Sequence, residues 1–170
     1  MDDIVKAALK KWPNVPHCYG WLALDARGEW YMRDERIQHA GPFPAVKGSR
    51  ITHEKLREFI ERNYLHDSAG AWFFQNGPQR VYVELEAAPW VWRLDGKHVT
   101  SHTGLTTQAQ LCWIDEHDRL FLGTPLGLGI VHSLDMLDAA AQVEQGCWTP
   151  EPIEHAALLQ RYGVQLVPKP

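Results

Sequence analysis

Four times along this 170-residue sequence, two apolar, β-prone segments flank a short polar turn. They read GWLALD–AR–GEWYMR (20–33), AWFFQ–NGPQ–RVYVELE (71–86), WVWRL–DG–KHVTS (90–101) and QLCWI–DEHD–RLFLG (110–123). Asn76-Gly77 and Asp95-Gly96 are residue pairs that accept the positive φ of tight hairpin turns. Val81, Val83 and Leu85 alternate with polar neighbours, the period of a strand with one buried face. Hairpins close antiparallel pairs, so the expected fold is α+β, antiparallel hairpins with packed helices. No strand–helix–strand alternation is visible, which argues against a doubly wound nucleotide-binding sheet.

Helices are fewer. DDIVKAALKK (2–11) has acids at its start and lysines at its end, as the helix dipole favours. THEKLREFIERNYL (52–65) places Leu56, Phe59, Ile60 and Tyr64 on one stripe, with Thr52 as the expected N-cap. LDMLDAAAQVE follows Ser133, a capping residue, and Thr149-Pro150 is expected to open a last helix that Gly163 closes. GVQLV after it reads as a short strand. Residues 34–51 show no clear period and hold two glycines and two prolines, so they read as a long connection of the mobile or functional kind.

At an offset of 90, WLALDARGEWYMR (21–33) aligns without gaps on LCWIDEHDRLFLG (111–123), Asp25 falling on Asp115. Each hairpin is followed by a Gly-containing loop and a capped helix. The expected organisation is two hairpin–helix pseudo-repeats, residues 1–94 and 95–170, sharing one unit.

The parts LALDARGEWYMR, ITHEKLREFIERN and GAWFFQNGPQRVYVELEAAPWV, within residues 20–94, resemble the bacterial family known as domain of unknown function 1285. The shared pattern is a glycine-turned aromatic hairpin, a loop, an amphipathic helix, and an aromatic hairpin ending in an acidic-Ala-Pro-aromatic-Val phrase. LCWIDEHDRLFLGTPLGLGIVHSLDML is similar more loosely, and the chain resembles a separate proteobacterial group of its own. The resemblance implies repeated hairpin–helix motifs in two halves and a ligand-binding or signalling role. It carries no catalytic residues to this chain.

Composition narrows the function. Seventeen basic and twenty-one acidic side chains give −4, with no basic run, so nucleic acid is not an expected partner. Cys18, Cys112 and Cys147 are odd in number and far apart, pointing to free thiols in a reducing compartment. No apolar run is long enough to span a bilayer and none follows Met1, so a cytoplasmic protein without a membrane span is expected.

Several chemical patterns read as structure. His98 and His102 share a face of a strand about 13 Å apart, too far to chelate one ion, so no metal or cofactor is expected. His17-Cys18 lacks a nucleophile signature. GTPLGLGIVHS (123–133) has neither a Gly-Lys-Ser/Thr phosphate loop nor the dinucleotide glycines, and reads as a turn passing close to the sheet. Glu84 and Glu86 share one face of VYVELE and read as its solvent face.

The eight tryptophans remain. Trp21, Trp30, Trp72, Trp90, Trp92 and Trp113 fall on or beside strands, Trp90 and Trp92 on the same face. Most read as core, the remainder as the lining of a groove. The expectation is a non-catalytic, signalling or regulatory protein binding a small anionic ligand or a protein partner in a cleft between the halves. Its expected lining is Trp30, Tyr31, Arg33, Arg50, Trp90, Trp92 and Arg93, the guanidiniums facing a carboxylate or phosphate. The alternative is a small hydrolase or transferase with His132 or His98 as base and Asp115 orienting it. Hairpin edges leave a homodimer open.

Overall fold

In the computed structural model, which describes residues 1–170, all four expected hairpins form. The chain divides into two units, Met1–Asp25 with Glu29–Glu86 and Gln165–Pro170, and Ala26–Gly28 with Ala87–Val164. No helix is long and apolar enough to cross a membrane.

The first unit begins with α1 (Asp3–Lys11), anchored where the Asp2 amide donates to Asn63 Oδ1 at 2.8 Å. Next come β1 (Cys18–Leu24), β2 (Trp30–Met32), α2 (Glu35–Ala40) and β3 (Ser49–Arg50). Then follow α3 (Glu54–Arg62), β4 (Tyr64–His66), β5 (Trp72–Asn76) and β6 (Gln79–Leu85). The strands form one mixed sheet, order β3-β2-β1-β6-β5-β4, antiparallel except where β6 runs parallel to β1.

The second unit holds β7 (Trp90–Asp95), β8 (His98–Ser101), β9 (Thr106–Thr107), β10 (Leu111–Ile114), β11 (Leu120–Thr124) and β12 (Gly127–Val131). A 3-10 turn (Ser133–Asp135) leads into α4 (Met136–Glu144), β13 (Glu151–Pro152) and α5 (His155–Tyr162). Its sheet runs β13-β10-β11-β12-β7-β8-β9, with β12/β7 and β10/β13 parallel. The fold is α+β with two mixed sheets.

The two units share a plan that the 90-residue offset describes. Leu22, Ala23 and Leu24 face Met32, Tyr31 and Trp30, and Cys112, Trp113 and Ile114 face Leu122, Phe121 and Leu120 in the same register. A strand returning after a helix lies parallel to the first hairpin strand in both: the Glu86 amide donates to Leu24 O, and the Ile153 amide to Ile114 O, each at 3.0 Å. The turns match as well. Gly28 has φ 81° and Asp118, at the equivalent place, has φ 59°. Asp25 and Asp115 both accept the backbone N–H four residues on, from Glu29 and Arg119, at 2.9 and 2.8 Å.

Several expectations change at element ends. His53, not Thr52, caps α3, its Nδ1 accepting from the Leu56 amide at 3.3 Å. Tyr64 lies beyond the helix on β4. Residues 34–51 are not a bare connection: Asp34 Oδ1 accepts from the Ile37 amide at 3.0 Å and starts α2, and residues 49–50 form β3. His132, not Ser133, accepts the Leu134 amide where the chain turns toward α4. The last helix starts at His155, because Glu151–Pro152 is drawn into pairing with β10. After Gly163, only Gln165 bridges to Ala71.

GTPLGLGIVHS is not only the expected turn: Gly127–Val131 form β12, a strand within the second sheet between β11 and β7. At Gly129 a side chain would overlap the Trp92 indole, so the ring packs flat on bare backbone.

Candidate ligand-binding site

On one face of the first sheet, alternation puts Leu22, Leu24, Met32, Val81, Val83 and Phe74 toward α3. The stripe of α3 answers with Leu56, Phe59 and Ile60, the last buried at 2% exposure. Nine residues make a helix about 14 Å long, whereas six strands span about 24 Å. The helix therefore covers only part of the face.

What remains open is an apolar cavity of about 330 Å³. Strand residues Leu22, Met32, Val81 and Phe74 and helix residues Leu56, Phe59 and Ile60 wall it, with Ile51 and Trp21. The polar exceptions are Cys18 and Asn76. Trp21, Met32 and Leu56 keep 38%, 49% and 37% of their surface in water. That is an unusual concentration of large apolar side chains at one mouth. Burial pushes the Cys18 thiol pKa up, which keeps it protonated and uncharged at neutral pH.

Ile51 also lines a second, smaller depression of about 120 Å³ with Glu29, Arg50, Thr52 and Arg57. Arg50 Nη1 lies 3.8 Å from Glu29 Oε1, a loose pair. Arg57 Nε is buried and has no hydrogen-bond partner.

The opposite face of the same sheet carries the Phe73–Tyr82 cluster on one side and a covered polar patch beside β2 on the other. Arg33, 2% exposed, donates to Glu84 Oε2 at 3.0 Å, to Gly41 O at 2.7 Å and to Val46 O at 3.1 Å. Lys47 Nζ reaches Asp25 Oδ2 at 2.9 Å and Glu86 Oε2 at 3.9 Å. Glu84 and Glu86 thus do not form a free solvent face: the segment between β2 and β3 folds over them and supplies their cations.

Of the seven residues expected to line a ligand, Trp30, Tyr31, Arg33 and Arg50 lie in the first unit and Trp90, Trp92 and Arg93 in the second. Trp30 is inaccessible and donates its indole N–H to Glu61 Oε1 at 3.2 Å. Tyr31 is half-buried, its hydroxyl 3.2 Å from Asp25 Oδ2, and burial with the Asp25 charge raises its pKa. Trp90 and Trp92 stack at 6.0 Å and give their N–H groups to Leu126 O and Leu122 O at 2.9 and 3.1 Å. Arg93 holds Asp135 through two bonds of 2.6 and 3.2 Å. None of the seven lines the apolar cavity, and Arg50 lines the smaller depression that shares Ile51 with it.

The residues considered for acid–base work sit in structural roles. Asp115 gives one oxygen to the amides of His117 and Arg119 and the other to the Arg119 guanidinium at 2.8 Å. His132 Nδ1 accepts the Leu134 amide at 3.0 Å, and His98 is an exposed residue of β8. His102 Nδ1 accepts the Val91 amide at 3.2 Å. Burial pushes the Cys112 thiol up to about 11, while Cys147 is exposed.

The sequence marks Trp21 as a strand tryptophan and Leu56 as a stripe residue, but it does not mark them or Met32 as a cavity mouth. The cue lay in pairing: Leu22 and Met32 face each other across β1/β2 beneath the first turn of the α3 stripe. Apolar residues there exceed what nine helical residues can cover.

Among curated proteins, none matches the chain. The fold is similar to that of a domain of unknown function 1285 protein from Silicibacter pomeroyi DSS-3, with TM-score 0.51 and 11% identity over 82% of this chain and 83% of that one. A second member of that family, from Shewanella baltica OS155, is similar at TM-score 0.41 and 16% identity, covering 72% of this chain and 91% of its own. The model of the family described as "Protein of unknown function (DUF2946)" matches residues 1–169, and the chain belongs to that family.

Proposed function

We propose that this protein is a non-catalytic binding protein that takes a small, largely apolar molecule into the cavity between α3 and the first sheet. The observation that carries the reading is the cavity itself: about 330 Å³, walled almost wholly by apolar side chains and left open at Trp21, Met32 and Leu56. That volume is at the lower end of small-molecule sites, and a few polar groups among apolar walls is their usual make-up. Transfer of the ligand from water supplies the driving force, about 25 cal/mol per Å² of apolar surface buried. In a reducing compartment the three cysteines stay free, and Cys18 acts only as part of the wall.

Cys18 makes the reading testable. Peptide-resolved mass spectrometry after iodoacetamide treatment reports its accessibility separately from that of exposed Cys147. With 1-octanol present, alkylation of Cys18 should slow while that of Cys147 stays constant. Leu56→Trp, which fills the mouth, should abolish the difference. Equal Cys18 labelling with and without the alcohol contradicts the proposal.

A further inference from the structure

The geometry points to an amphipathic monocarboxylate, an aliphatic or aryl acid of about eight to ten carbons, as the ligand class, an assignment that rests on the cavity reading above. Ile51, which walls the apolar cavity, also lines the small depression that holds Arg50 and Arg57 with Glu29. The apolar chamber thus has a pair of guanidiniums beside it, on the far side of the shared residue Ile51.

Three details favour an anion there. Arg57 Nε is buried without an acceptor, although guanidinium N–H groups in such settings are normally satisfied. Glu61, one turn further along α3, interacts with Arg57 only through its charge and already accepts the Trp30 indole N–H at Oε1. Arg50 is held only by Glu29 at 3.8 Å. An incoming carboxylate can replace that contact with a planar, charge-assisted pair. Two arginines line the depression with Glu29, and Glu61 also lies within the field of Arg57, so the remaining positive charge suits a monoanion better than a phosphate dianion, and about 120 Å³ holds a carboxylate with little to spare.

Size sets the body of the ligand. The chamber measures about 330 Å³. With about 30 Å³ for each water-sized group, it takes roughly ten heavy atoms. A neutral ligand of that length would fill the chamber and leave Arg57 as it is. An acid fills it and satisfies the guanidinium as well.

Isothermal titration calorimetry with octanoate and 1-octanol separates this claim from the one beneath it. Octanoate should bind about tenfold or more tightly than 1-octanol, the factor one charge-assisted contact contributes. Arg57→Gln should weaken octanoate by that factor and leave 1-octanol unchanged; Arg50→Gln should act in the same direction and serves if the first variant fails to fold by near-UV circular dichroism. Equal affinity for the two probes, or a preference that survives both substitutions, overturns the acid assignment while leaving the apolar cavity standing. Binding of neither probe overturns both.

Discussion

Arg33 and Glu84 show how far an ion pair's environment decides its worth. Arg33 is almost fully buried, and its partners include the carbonyls of Gly41 and Val46, so the pair also ties down the segment between β2 and β3. Arg33→Ala leaves Glu84 without its cation under that segment and should cost about 3–5 kcal/mol in urea unfolding. Arg93 is half in water, and its buried partner Asp135 keeps the Leu94 amide as a second donor, so Arg93→Ala should cost less, about 1–2 kcal/mol. Equal losses would contradict this ranking. The Arg33–Glu84 pair was not legible in VYVELE, because alternation separates faces and says nothing of what a distant segment lays over the polar one.

Asp115 gives a pH dependence at the same scale. Burial alone would raise its pKa, but the Arg119 guanidinium and the amides of Arg119 and His117 outweigh that and hold it below the ordinary aspartate value. A carboxyl depressed in the folded state binds its proton more readily when unfolded. Its contribution is therefore complete above the unfolded value, about pH 4, and is lost as pH falls through the lower folded value. Asp115→Asn should be less stable than the parent at pH 7 by about 1–3 kcal/mol, and the gap should narrow below pH 4. A constant gap in denaturant midpoints across that range would contradict the assignment.

At the scale of elements, the hairpins were readable because their determinants are local. Turn dipeptides and period-2 alternation lie within about 15 residues of each other. The parallel partners were not. β6 is periodic in itself, but it reaches β1 only after α2 and α3 have intervened, so the pairing leaves no local trace, and β13 is too short, at two residues, to show a period. The duplicated plan was visible as a gapless alignment, and the shared register and the shared parallel return now give it structural content. The repeat also exposes one imperfection. Gly28 meets its positive φ at no steric cost, while Asp118 does so with a side chain. Asp118→Gly should raise stability by about 0.5–1 kcal/mol, read as about 2 °C in the thermal midpoint. Gly129→Ala should lower it, because the new methyl group meets the Trp92 ring. A midpoint unmoved by Gly129→Ala would show that the ring is free to shift.

At the scale of the molecule, most of the tryptophan excess is packing material. Trp30, Trp72, Trp90, Trp92, Trp113 and Trp148 are buried, and the exposed members are Trp12 and Trp21. Trp30, Trp90 and Trp92, expected at a groove, serve the sheets as core. The open apolar surface gathers instead where a short helix leaves part of the first sheet bare. The chain holds three methionines, and Met32 is the one at that mouth, Met1 lying at the N-terminus and Met136 on α4. Carbon-13 methionine-methyl NMR during titration with 1-octanol therefore reads the cavity almost in isolation. Binding in the cavity predicts a saturable shift of the Met32 methyl resonance with Met1 and Met136 unmoved; a Met32 resonance that stays put, or three resonances drifting together without saturation, would contradict it.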